Sequence, residues 1–113
     1  MTTLADLPTP VLILDRSRLL ANVARMQAQA KKLGVSLRPH LKTAKAAMVA
    51  ELAVGKNGPI TVSTLAEAEY FAKAGFRDIL YAVPMAPQKL DQVGALIRPT
   101  NDRRCVHLKI ITA

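Results

Sequence analysis

The sequence predicts an α/β fold built on parallel strands. Short runs of branched apolar residues alternate with segments of helical period along the whole chain. The loops between them are short, and the units recur at roughly 25 residues, as βα units do. The strand runs are continuously apolar rather than alternating, which suits parallel strands covered on both faces. An open doubly wound sheet and part of a closed (β/α)8 barrel both satisfy these observations, and periodicity does not choose between them.

The elements follow in order. Val11-Leu12-Ile13-Leu14, after Pro8 and Pro10, reads as a first strand. Asp15 or Ser17 caps the next helix, whose inner face is Leu19, Val23, Met26, Ala30 and Leu33, and Gly34 ends it. Val35 to Arg38 reads as a second strand stopping at Pro39. A second helix covers Ala44 to Val54 with Met48 and Leu52 inward. Ile60-Thr61-Val62-Ser63 is a third strand. Thr64-Leu65-Ala66-Glu67 matches a capping box, in which Thr64 accepts from the Glu67 N–H and the Glu67 carboxylate reaches the Thr64 N–H. The third helix turns Leu65, Ala68, Phe71 and Ala72 inward and ends at Gly75. Asp78 to Val83 is a fourth strand, Pro87 opens a fourth helix carrying Leu90, Val93, Leu96 and Ile97, and Val106 to Ile111 is a fifth strand.

Composition narrows the class. The chain has 113 residues, 50% of them apolar and 21% charged, so it is not a disordered chain. It is too short for a complete (β/α)8 barrel, which needs roughly 200–250 residues. One cysteine, Cys105, excludes an internal disulfide and a multi-cysteine zinc site. No apolar run approaches the ~18 residues of a membrane span, and MTTLADLPTP does not read as a signal peptide. The expected setting is cytoplasmic and soluble. The net charge of +8 raises nucleic acid as a partner. The cations are dispersed, however, and no aromatic residue interleaves with them, so solvated helix faces are expected and nucleic-acid binding is not.

The chain carries no G-x-G-x-x-G, no G-x-x-x-x-G-K-[ST] and no G-x-S-x-G. His40 and His107 form no metal-ligand pair, and no base stands beside Cys105. The informative segment is Arg38-Pro39-His40-Leu41-Lys42-Thr43-Ala44-Lys45, at the C-terminal end of the expected second strand. That edge is where βα folds bind ligands and carry their chemistry. Partial desolvation and the neighbouring Arg38 and Lys45 would disfavour the ammonium form of Lys42 and release its amine for Schiff-base chemistry. A solvated lysine in a basic loop is the competing reading.

The R-P-H-x-K-T-x-K segment resembles the pyridoxal-phosphate lysine motif of the D-threonine aldolase and D-serine dehydratase family. These enzymes share the alanine-racemase-like N-terminal barrel of fold type III. Thr9 to Asp15, Thr64 to Glu69 and Ala74 to Leu80 resemble the same family in order, and the likeness runs from residue 9 to about 97. It implies an α/β fold forming a partial (β/α)8 TIM-type barrel, with about four βα units plus a fifth strand. Residues 1–98 would be the N-terminal part of the cofactor-binding barrel, and 99–113 a divergent tail marking a truncation.

By position, the resemblance implies that Lys42 forms the internal aldimine with pyridoxal 5'-phosphate, with Arg38 and His40 near the cofactor. Ala44 departs from the family, where many relatives have histidine. The implied activity is lysis of D-β-hydroxy amino acids by aldol cleavage or dehydration. A divalent metal serves the full-length relatives, which would be monomers or homodimers, but its ligands are not in this sequence. The chain alone is expected to be inactive. A non-catalytic pyridoxal-phosphate carrier and a basic βα binding module are the alternatives.

Overall fold

The computed structural model describes residues 3–98 and 106–111. Helix α1 (Arg16–Leu33) starts where the Asp15 carboxylate accepts from the Arg18 N–H at 3.0 Å. It ends at Gly34, whose φ of 67° is left-handed and costs glycine little. Helix α2 (Ala47–Val54) lacks a side-chain cap of its own, and the Tyr70 hydroxyl accepts the Ala47 N–H at 3.2 Å instead. Strand β1 (Ile60–Val62), helix α3 (Leu65–Lys73), strand β2 (Asp78–Tyr81), helix α4 (Leu90–Ile97) and strand β3 (His107–Ile110) follow.

The strands form one parallel sheet in the order β1-β2-β3. Ile60 registers with Ile79, and Ile79 with Leu108. The core lies between this sheet and the helices. Ile60, Val62, Ala68, Phe71, Phe76, Ile79 and Tyr81 are fully buried, and Phe71 meets Phe76 edge to face with centroids 5.7 Å apart. This confirms the inner face expected for α3. The fifth strand of the sequence reading is β3, and Val93 of α4 is buried as expected.

Two expected strands do not form, so the described residues hold three strands rather than five. Residues 11–15 form no strand and have no ladder partner, and Leu12 is 96% exposed. An apolar run becomes a strand only when a neighbour takes its N–H and C=O groups. The second expected strand, 35–38, is also absent, and just past it stands a single parallel bridge, His40 to Thr61. Its bonds are Thr61 N–H to Pro39 C=O at 2.9 Å and Leu41 N–H to Thr61 C=O at 3.0 Å. One pair upstream, the ladder would need N–H groups from Pro39 and Pro59, and proline has none. Met48 also departs from expectation. It is exposed, and Val49 and Ala50 carry the buried face of α2.

The sheet's N-terminal end is tied by Arg38 and Asp78. Arg38 donates to the Ile60 and Asp78 carbonyls, each at 3.2 Å, and to the Asp78 carboxylate at 2.7 Å. Lys109 of β3 reaches the same carboxylate at 3.1 Å. The Arg38 hydrogen bond outweighs the cost of burial and, with Lys109, holds the Asp78 carboxyl below its ordinary value. Pro99 to Cys105, and the end of the expected tail, lie outside the described residues. Among the described residues no helix is long and apolar enough to cross a membrane.

Candidate functional site

The segment Pro39–Leu41 docks beside β1 through the His40–Thr61 bridge, and the chain then turns sharply. The Lys45 N–H closes the turn onto the Leu41 carbonyl at 2.9 Å, with Lys45 at φ 30°. Lys42 is the first residue of this turn and sits where the docked segment leaves the C-terminal edge of β1. Lys42 thus lies at the C-terminal edge of the sheet, although the strand expected to lead to it does not form. The expected desolvation is not found, because Lys42 is exposed.

His40 and Lys42 come together. The Lys42 backbone N–H donates to His40 Nδ1 at 3.2 Å. His40 Nε2 lies 3.0 Å from Ser63 Oγ, on the residue that follows β1. An amide only donates, so Nδ1 is the accepting nitrogen and a neutral ring carries its proton on Nε2, toward Ser63. His40 thus links the lysine's backbone to the end of β1.

Glu67 joins the same edge from α3. It is buried to 9% exposure, and its Oε2 accepts the Ser63 N–H at 2.8 Å. The Thr64 hydroxyl accepts the Glu67 N–H at 3.0 Å, as the capping box predicts. The carboxylate takes the Ser63 N–H as its closer backbone donor, and the expected Thr64 N–H also helps to lower its carboxyl. Its Oε1 pairs with Lys45 Nζ at 3.2 Å. Burial pushes this carboxyl up, but the hydrogen bonds from Ser63 and Lys45 and the Lys45 charge bring it below its ordinary value.

These pairings sort the cations of the segment. Arg38 is bound to Asp78 and Lys45 to Glu67. Among the described residues Lys42 has no ion pair and no side-chain hydrogen bond. Its amine is therefore available to a ligand. Arg38 lies with the starts of β1 and β2, at the opposite end of the sheet from His40 and Lys42. His107, exposed on β3, begins that strand beside Asp78. No described group of three His, Cys, Asp or Glu side chains could hold a metal, and Cys105 lies outside the described residues. Ser63 and Glu67 were not singled out for the site by sequence. The capping-box signature located Glu67 but said nothing of Lys45.

An apolar cavity of about 460 Å³ lies behind the segment, lined among others by Leu19, Val23, Met26, His40 and Val49. A second, of about 450 Å³, lies between α3 and α4 and includes none of Arg38, His40 or Lys42.

No family model matches the chain. D-threo-3-hydroxyaspartate dehydratase of a Delftia species is 49% identical over 106 residues, covering 92% of this chain and 28% of that protein. D-serine dehydratase of Dictyostelium discoideum is 42% identical over 92 residues, covering 75% of this chain and 23% of that protein. The crystal structure of an alanine-racemase-like protein from Idiomarina loihiensis superposes with a TM-score of 0.84 at 42% identity, over 96% of this chain and 28% of that one. The chain spans about a quarter of the length of the curated relatives it matches. By sequence and by fold it is a relative of the D-threonine aldolase and D-serine dehydratase group of alanine-racemase-like proteins.

Proposed function

We propose that the chain supplies the cofactor-lysine segment of a pyridoxal-phosphate-dependent lyase acting on D-β-hydroxy amino acids, with Lys42 as the residue that attaches the cofactor. The observation that carries this reading is the unpaired Lys42 amine at the C-terminal edge of a parallel sheet, between two cations that are both neutralised. The likeness to D-threo-3-hydroxyaspartate dehydratase, D-serine dehydratase and D-threonine aldolase supports the substrate class.

The donor set fits an aldehyde-bearing cofactor. A primary amine attacks a carbonyl only when it is unpaired and accessible, and Lys42 is both. Lys42 and His40 would hold the group. When bound, pyridoxal phosphate supplies an electron sink for charge developing at a substrate's Cα. His40 accepts from the Lys42 backbone and so fixes where the lysine stem starts. Ser63 orients the His40 ring. Lys42 Nζ, once free, can take up or deliver a proton. Arg38 supports the segment from the far end of the sheet rather than contacting the same groups.

The test is a visible-absorbance scan of the purified chain with added pyridoxal phosphate. A band that borohydride fixes onto Lys42, and that a Lys42→Ala variant lacks, is expected. No band at saturating cofactor would overturn the reading. Assays with D-serine, D-threonine and D-threo-3-hydroxyaspartate plus a divalent metal are expected to show no turnover by the 113 residues alone. Turnover would refute that part.

A further inference from the structure

Two hydrogen bonds at the Lys42 turn run where a strand ladder would otherwise continue. After the His40–Thr61 bridge, the next parallel pair would join the Ser63 N–H to the Leu41 carbonyl. The single donor is already used, and the acceptor already has another partner. The Ser63 N–H is taken by Glu67 Oε2 at 2.8 Å, and the Leu41 carbonyl by the Lys45 N–H at 2.9 Å. The residues that divert them are themselves joined, Lys45 Nζ to Glu67 Oε1 at 3.2 Å.

We infer that the Glu67–Lys45 pair is a positioning device that ends the docked segment at Leu41 and sets the point at which Lys42 leaves the sheet. Glu67 is rigidly placed for this task. It is buried, it belongs to the first turn of α3, and its backbone is capped by Thr64. Lys45 is held at φ 30°, a conformation a non-glycine residue adopts only when its surroundings require it. The ion pair supplies that requirement from the side-chain end and the Leu41 bond from the backbone end. Glu67 also holds the Ser63 backbone while Ser63 Oγ meets His40, so one carboxylate governs both sides of the Lys42 turn. Neither Glu67 nor Lys45 need touch a ligand. They act through Lys42 and His40, and this role rests on the proposed use of Lys42.

The experiment compares the parent chain with Glu67→Gln, Lys45→Met and the double variant. Two quantities are read. One is the rate at which borohydride fixes pyridoxal phosphate onto Lys42, mapped by peptide mass. The other is backbone amide exchange at Ser63 and Lys45 without added cofactor. Each single variant is expected to slow Lys42 labelling about threefold to tenfold and to speed Lys45 amide exchange by a similar factor. The double variant should be no worse than either single one, because both singles break one pair. Lys45 is mostly exposed, so Lys45→Met keeps the fold even if Glu67→Gln loosens α3.

Parent-like labelling and exchange in Lys45→Met would overturn the inference, as would additive losses in the double variant. If the parent itself takes no label on Lys42, the cofactor reading fails. Amide exchange still decides whether the pair holds the turn.

Discussion

His40 Nε2 lies 3.0 Å from Ser63 Oγ, while Nδ1 of the same ring accepts the Lys42 backbone N–H at 3.2 Å. One imidazole therefore spans the gap between the end of β1 and the lysine turn. Ser63→Ala removes one of its two anchors without touching the core. Labelling of Lys42 by pyridoxal phosphate and borohydride is expected to slow about threefold to tenfold, the worth of one hydrogen bond. The melting temperature should hardly move, since the bond is exposed. Unchanged labelling would show that the lysine turn needs no help from the Ser63 anchor.

Acid should loosen the sheet through Asp78. Its folded carboxyl is held below its ordinary value, first by the Arg38 hydrogen bond and also by Lys109. Its stabilising contribution is therefore complete above the unfolded value of 3.8 and is lost as pH falls through the lower folded value. Asp78→Asn is expected to destabilise the chain by about 1 kcal/mol at neutral pH, because the carboxylate is partly exposed and solvent screens its pairs. It should also flatten the dependence of stability on pH between about 2 and 5. Urea titrations across that range check both.

Phe71 is fully buried and meets both Phe76 and Tyr70 edge to face. Phe71→Ala would leave a cavity at the meeting point of α3 with the sheet. A loss of about 3–5 kcal/mol is expected. In a chain this short that is enough to abolish a cooperative thermal transition. A preserved transition within a few degrees of the parent would contradict the assigned core.

The apolar run Val11 to Leu14 leaves its side chains largely in water, Leu12 almost completely. Such a run is a sticky surface. The chain is expected to self-associate with rising concentration, and Leu12→Lys should reduce this without lowering the melting temperature. Light scattering and thermal melts of the pair measure both.

Local chemistry was legible in the sequence. The Asp15 cap, the Gly34 stop, the Thr64 cap and the buried face of α3 all rest on residues within about one helical turn of each other. The lysine segment was legible for the same reason, as an unbroken motif. What the sequence left open depends on groups distant along the chain. Pro39 and Pro59 block a ladder only because folding lays their two segments side by side. Glu67 takes the nearby Ser63 N–H with one oxygen, but the other meets Lys45 only because folding brings that distant residue to the start of α3. Arg38 reads as a neighbour of Lys42 in the motif, yet it ties the opposite end of the sheet, since its long side chain reaches Asp78. Sequence alone determined which residues could carry the chemistry and which elements would surround them. Tertiary structure decided which cations are neutralised, and left Lys42 with a free amine, because ion pairing depends on what folding brings within a few ångströms.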